Sequence, residues 1–179
     1  MNTSLAHRGP DNDGIWHNET LCLGHRRLSI IDLSSDSNQP FLSNEKRYII
    51  VYNGELYNYK ELKLELQRSA HGSGHTPYFF NSGSDTEVIL AAYIRWGNKC
   101  LDYFNGMYAF AVHDKKKNET FVVRDKVGEK PLYYVKGKDY FAFASEIKSL
   151  IGLVEPRFND KATSYRAYEF TTGKETLFK

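Results

Sequence analysis

Cysteine, methionine and tryptophan are scarce in this sequence, with two of each among 179 residues. Cys22 and Cys100 lie far apart without metal-ligand spacing, which argues against a cysteine-built metal site and fits a reducing cytoplasm. Excess charge is also lacking: 24 basic against 22 acidic residues leave a net +2. The densest basic run, Asp114–Asn118, reads as a solvated turn between strands, so no nucleic-acid partner is expected. No segment approaches the roughly 18 apolar residues of a membrane span, and the opening MNTSLAHRGPDNDG lacks the apolar core of a signal peptide. There is no internal repeat and no low-complexity tract. These absences leave an ordinary soluble chain, expected in the cytoplasm with no membrane partner.

What the chain does have is aromatic weight: 13 Tyr and 11 Phe within a 41% apolar composition. At this length that supplies one substantial core, in one domain or a domain plus a fragment. Thr20–Ser34 is β-rich at both ends around an arginine pair, and the apolar run Arg47–Asn53 reads as a buried strand. Tyr59–Arg68 reads as a helix with Tyr59, Leu62, Leu64 and Leu66 on its apolar stripe. Ser84–Gly97 opens on Ser-x-x-Glu, a capping box, and closes on glycine, which marks a second helix. Gly106–Asp114, Glu119–Asp125, Lys130–Lys136 and Asp139–Ser145 read as four strands of an antiparallel meander, followed by a short helix at Ser145–Gly152. From Glu155 onward the pattern weakens, and the chain stops as if cut within a fold. Two strand groups with helices between and after them give an α+β class.

Five polar clusters interrupt the apolar surroundings: His7–Gly14, Gly24–Asp32, Tyr52–Asn58, Gly83–Glu87 and Arg124–Tyr134. Each has an ordinary reading when taken singly. HRGPD is a loop set by its glycine and proline, GSDTE is a helix cap, and RDKVGEKP is a charged hairpin. Asn53-Gly54 between apolar runs is a strong signal for a tight hairpin turn. Yet Glu55 and a helical stretch follow it, as though an amide, a glycine N–H and a carboxylate were wanted where a strand ends and a helix begins.

Taken in this order, HRGPD…G, LGHRRLSIID, NGELYNY, SDTEVIL, FNGMYAFA, RDKVGEKPLYY and FASEIKSL resemble the glutamine amidotransferase domain of glutamine-hydrolysing asparagine synthetases, from about His7 to the end. The resemblance implies an N-terminal-nucleophile fold: a four-layer αββα sandwich of two mainly antiparallel sheets, here without its first strand. It implies an oxyanion hole made by the Asn53 side chain and the Gly54 N–H, donors that glutamine hydrolysis needs against its tetrahedral intermediate. It further implies that Arg27 clamps the α-carboxylate of glutamine, a task suited to a planar bidentate donor. Glu55 and Asp85 accept from its α-ammonium, and backbone groups at Ile30 and Ile31 run alongside it. Arg27 as a surface arginine and Asp85 as a helix cap are the competing readings. His7, Arg8 and the RDKVGEKP segment are assigned supporting roles, and Cys22 and Cys100 small core roles.

The family's nucleophile is an N-terminal cysteine whose own α-amine is the base. Only MNTSLA precedes His7, so that cysteine and its strand are expected to be missing, and no SGGxDS-type pyrophosphate loop follows. The reading is therefore of an amidotransferase domain over residues 1–154 and a connector over 155–179, from a parent truncated at both ends. The chain itself then carries no cofactor or metal, with ATP and Mg²⁺ belonging to the parent's synthetase domain. Expected partners are glutamine and that synthetase domain in cis, with homodimerisation left open. Two alternatives stand: a non-catalytic module that binds ligand or partner, and a piece of a related amidotransferase with a different amide product.

Overall fold

Asn18 accepts from the N–H groups of Thr20 and Leu21, closing a tight turn between two strands that form a ribbon, β1 (Asn12–His17) and β2 (Cys22–Arg27). The computed structural model describes residues 1–29, 34–68 and 76–153. A 3₁₀ turn, Thr3–Arg8, precedes the ribbon. Next come β3 (Phe41–Leu42), β4 (Tyr48–Leu56), helix α1 (Tyr59–Gln67), helix α2 (Asp85–Trp96), β5 (Gly106–Asp114) and β6 (Glu119–Arg124). The last four strands named form one antiparallel sheet in the order β3-β4-β5-β6.

Side-chain alternation gives this sheet two buried faces. Ile50, Tyr52, Leu56, Tyr108, Phe110, Val112 and Val123 pack on one side against Leu62 and Leu66 of α1 and the buried Val88–Ala92 stretch of α2. Ile49, Val51, Ala109, Ala111 and His113, which occupy the opposite phase, are also buried. The ribbon covers them: the Trp16 ring lies 5.6 Å from that of His113, Leu23 is buried, and His25 Nε2 reaches Tyr52 O at 3.0 Å. Among the described residues before Tyr133, helices, sheet and ribbon thus make three successive layers, α+β and antiparallel as expected.

From Tyr133 onward the chain forms a second compact unit. There β7 (Tyr133–Lys136) pairs with β8 (Phe141–Ala144), with Tyr134 stacked on Phe141 and the Tyr140 hydroxyl donating to Leu153 O at 2.8 Å. The expected meander therefore divides: β5 and β6 share the larger sheet, while β7 and β8 form a sheet of two. The reason lies in Asp125, which accepts from Glu129 N and Lys130 N, and in Arg124, which donates to Gly128 O and Lys130 O. These bonds fold residues 125–130 into a loop, so β7 begins at Tyr133. The short helix expected at Ser145–Gly152 is two 3₁₀ turns. The expected connector 155–179 lies outside the described residues.

Three local expectations need correction. Leu64 is exposed, because the core-facing stripe of α1 runs through Tyr59, Leu62 and Leu66. Ser84 does cap α2, accepting from Thr86 N at 3.2 Å, but Glu87 does not close a capping box. Its fully buried carboxylate reaches past the cap to Asn81 N, Ser82 N and the Ser82 hydroxyl. Cys22 is exposed, since Leu23 takes the inward phase of β2; Cys100 is buried as expected.

Candidate functional site

The hairpin signal at Asn53-Gly54 is not a turn. Both residues lie inside β4, which runs on to Leu56, and they pair with Ala109 and Tyr108 of β5. A side chain on Gly54 would drive into Met107 O and meet Tyr108 Cα and the Tyr52 ring at 2.8 Å, so this close approach requires glycine.

The hydrogen-bond phase of β4 decides what Gly54 presents. Lys115 N donates to Arg47 O and Tyr57 N donates to Asn105 O, so the odd-numbered β4 residues bond across to β5. Even-numbered residues turn their N–H and C=O to the opposite edge. There Ile50 meets β3, which ends at Leu42. Beyond β3, side chains take over: Tyr52 N donates to Gln39 Oε1 at 2.6 Å, Tyr52 O accepts from His25 Nε2, and Leu56 N donates to Asp85 Oδ2 at 3.0 Å. Gly54 lies between these contacts, and its N–H, turned to the same edge, has no partner among the described residues. Asn53 Nδ2 is likewise buried and without a hydrogen-bond partner. Among the described residues two adjacent amide donors thus lack a partner, and one of them, Asn53 Nδ2, is buried, where polar groups are ordinarily satisfied.

The other expected residues surround this stretch. Arg27 is two residues along β2 from His25, on the same inward face, and is buried. Its guanidinium donates to Ser34 O at 2.8 Å and Asn38 Oδ1 at 2.6 Å, which fixes its direction. Glu55 shares the β4 face of Asn53 and is exposed. Asp85, by contrast, is buried at the start of α2. Its Oδ2 accepts from the Tyr52 hydroxyl at 2.8 Å as well as from Leu56 N, and its carboxylate faces the N–H groups of the first helical turn. Asp85 thereby ties α2 to β4. Burial raises its pKa, against the lowering effect of these hydrogen bonds. Burial, with the Asp85 carboxylate beside it, raises that of the Tyr52 phenol, which stays protonated as the donor. Ile30 and Ile31 lie outside the described residues.

Sequence reasoning missed Gln39 and His25. Gln39 bridges Tyr52 N and Thr86 Oγ1, and nothing near it in sequence announces this. His25 was visible only as a polar residue in the inward phase of a strand, between Leu23 and Arg27. Burial, and then Arg27, lower its pKa to about 4, the bond to Tyr52 O partly opposing them, so the ring is neutral at physiological pH.

Unmet amide donors beside a fixed arginine and a solvent-facing carboxylate suit a small zwitterion bearing a carbonyl. Comparison with known proteins points the same way. The chain is 41% identical over 153 residues to asparagine synthetase [glutamine-hydrolyzing] 3 of Bacillus subtilis (strain 168), covering 84% of this chain and 24% of that protein. It is 40% identical over 179 residues to asparagine synthetase [glutamine-hydrolyzing] 1 of the same organism, covering 99% of this chain and 27% of the relative. It thus spans about a quarter of the length of these relatives. Among solved structures, the glutamine phosphoribosylpyrophosphate amidotransferase of B. subtilis, complexed with ADP and GMP, superimposes with a TM-score of 0.57 at 28% identity, covering 72% of this chain and 28% of that one. The N-terminal-nucleophile amidotransferase fold follows from that likeness. The glutamine amidotransferase domain profile matches residues 1–179, and the chain belongs to that family.

Proposed function

We propose that this chain is the glutamine-binding part of a glutamine-dependent asparagine synthetase. The observation that carries the reading is Asn53 Nδ2, buried without a hydrogen-bond partner, next to a Gly54 N–H that has none among the described residues. Glutamine's side-chain carbonyl accepts from both, and the interaction strengthens as negative charge develops on that oxygen during attack. Arg27 takes the α-carboxylate. Glu55 and Asp85 take the α-ammonium, Glu55 from the solvent side and Asp85 from the buried side. Ile30 and Ile31 flank the ligand with their backbone groups.

Neither cysteine of the chain is placed to attack. Burial raises the Cys100 thiol pKa to about 12, and Cys22 is exposed at the far end of β2. In this reading the nucleophile is another residue of the parent, and ammonia passes to an ATP- and Mg²⁺-dependent amidation of aspartate in a synthetase domain in cis, in the cytoplasm. ATP and Mg²⁺ are assigned to that domain. No described helix is long and apolar enough to cross a membrane.

Calorimetry tests the binding reading. L-glutamine is expected to bind, and Arg27→Ala is expected to weaken it by about 1.5–3 kcal/mol, the value of a charge-assisted hydrogen bond. Equal affinity in the two chains would remove Arg27 from the site and the reading with it.

A further inference from the structure

We infer that His25 is a positioning residue for the carboxamide end of the site, holding the Tyr52–Asn53 peptide and covering the Tyr52 carbonyl, which precedes the Gly54 N–H on the same strand edge. The inference rests on the glutamine reading above and adds a residue to it.

The argument begins with the 3.0 Å contact between His25 Nε2 and Tyr52 O. A carbonyl oxygen only accepts, so Nε2 carries the hydrogen, and in the neutral ring Nδ1 keeps a bare lone pair. That Nδ1 is buried with no donor in reach. A merely structural histidine would ordinarily have both nitrogens satisfied. Here one nitrogen is left unmet so that the other can hold a single main-chain atom.

That atom matters because of its neighbours. Tyr52 C=O and Asn53 N belong to one planar peptide. On its other side the plane is held by the ladder to Ala109 of β5. Fixing Tyr52 O therefore fixes the direction in which the Asn53 side chain leaves the strand. Gly54 N–H is the next main-chain group on the same edge, bracketed by His25 on Tyr52 O and by Asp85 on Leu56 N. Without His25, Tyr52 O would stand uncovered beside the Gly54 N–H and repel any carbonyl or oxyanion approaching that donor. The Nε2–H group removes this repulsion and supplies no donor to the ligand itself.

Two substitutions separate this role from simple packing. His25→Gln keeps an amide N–H able to reach Tyr52 O; His25→Phe keeps a ring of similar bulk without the donor. The probe is L-glutamine labelled with ¹³C at its side-chain carbonyl, added to the full 179-residue chain. The bound carbonyl signal of the native chain is expected to move downfield as it accepts from Asn53 and Gly54. His25→Gln keeps that displacement, whereas His25→Phe loses it and binds roughly fivefold or more weakly. A His25→Phe chain with native displacement and affinity overturns the inference, and so does equal loss in both variants. Histidine ¹⁵N spectra of the native chain decide the matter should His25→Phe fail to fold. A neutral ring protonated at Nε2 is expected; a ring protonated at Nδ1, or charged at neutral pH, overturns it. Arg27→Ala distinguishes the two levels of reading. Weaker binding in that variant beside native behaviour in His25→Phe removes His25 alone, while no binding by the native chain removes the glutamine reading and this inference together.

Discussion

Asn53 illustrates how a single residue can be kept against its own stability. A buried, unpartnered amide donor costs about 1–3 kcal/mol relative to a satisfied one. Asn53→Ala deletes that donor along with some packing, so its thermal midpoint is expected at or above the native value while glutamine affinity falls. Paired thermal scans and calorimetry check this; a large drop in midpoint with native affinity would make Asn53 a structural residue. His25 carries the opposite kind of signature. Its pKa is lowered to about 4 in the folded chain, against about 6.5 for an unperturbed imidazole. The unfolded chain takes a proton near pH 6.5 that the folded chain refuses until about pH 4. Stability from this group is therefore complete above pH 6.5 and declines as pH falls through the window, by about 1.4 kcal/mol per unit at most. Burial also lowers His113, which adds to the decline, and raises Asp85, which opposes it at the acid end. Urea midpoints at pH 7, 6 and 5 are expected to fall more steeply for the native chain than for His25→Gln. Parallel slopes would contradict the burial of a neutral ring.

Among the elements, β4 shows which parts of this molecule a sequence can disclose. Its apolar start was legible because Ile49–Tyr52 is buried on both faces, which gives a continuous run. Its end was not, since Asn-Gly reads locally as a turn. The strand continues through it only because β5, some fifty residues later, pairs with it and leaves no room for a side chain at position 54. Gly54→Ala is accordingly expected to cost about 1–3 kcal/mol by overpacking against main-chain atoms that cannot withdraw. A urea midpoint unchanged by that substitution would mean the two strands are not so close. The same limit explains α2. Its Ser84 cap and terminal Gly97, at φ 59°, follow from neighbouring residues. The reach of Glu87 to Asn81 and Ser82, and of Asp85 to Tyr52 and Leu56, depends on tertiary placement. Asn53, Gly54 and Glu55 stood out locally, but their roles, and those of Arg27 and Asp85, came through resemblance. His25 and Gln39 act through main-chain atoms of β4, and those contacts leave no mark in local sequence.

For the whole molecule, the question is whether the site residues form a functional pocket around an attacking group supplied elsewhere, or whether one of the chain's own thiols serves it. Cys100 is fully buried, and a thiol raised to about 12 carries almost no thiolate at neutral pH. Cys22 is exposed and pairs with His17 at the start of β2, three residues before His25, the residue that touches the β4 edge. At about 3.3 Å per strand residue that separation is roughly 10 Å, whereas a nucleophile must come within about 3–3.5 Å of its carbonyl. Alkylation with iodoacetamide turns this geometry into an experiment. In the native chain Cys22 is expected to be labelled and Cys100 protected until urea unfolds the protein. Glutamine affinity is expected to be the same before and after labelling of Cys22, and the same again in Cys22→Ser. If alkylation of Cys22 abolished binding, β2 would have to lie in a different register against β4, and the placement of Arg27 and His25 beside Asn53 would be lost with it. If Cys100 were labelled in the folded chain, the packing at the end of α2 would be open, and its thiol would have to be reconsidered as the attacking group.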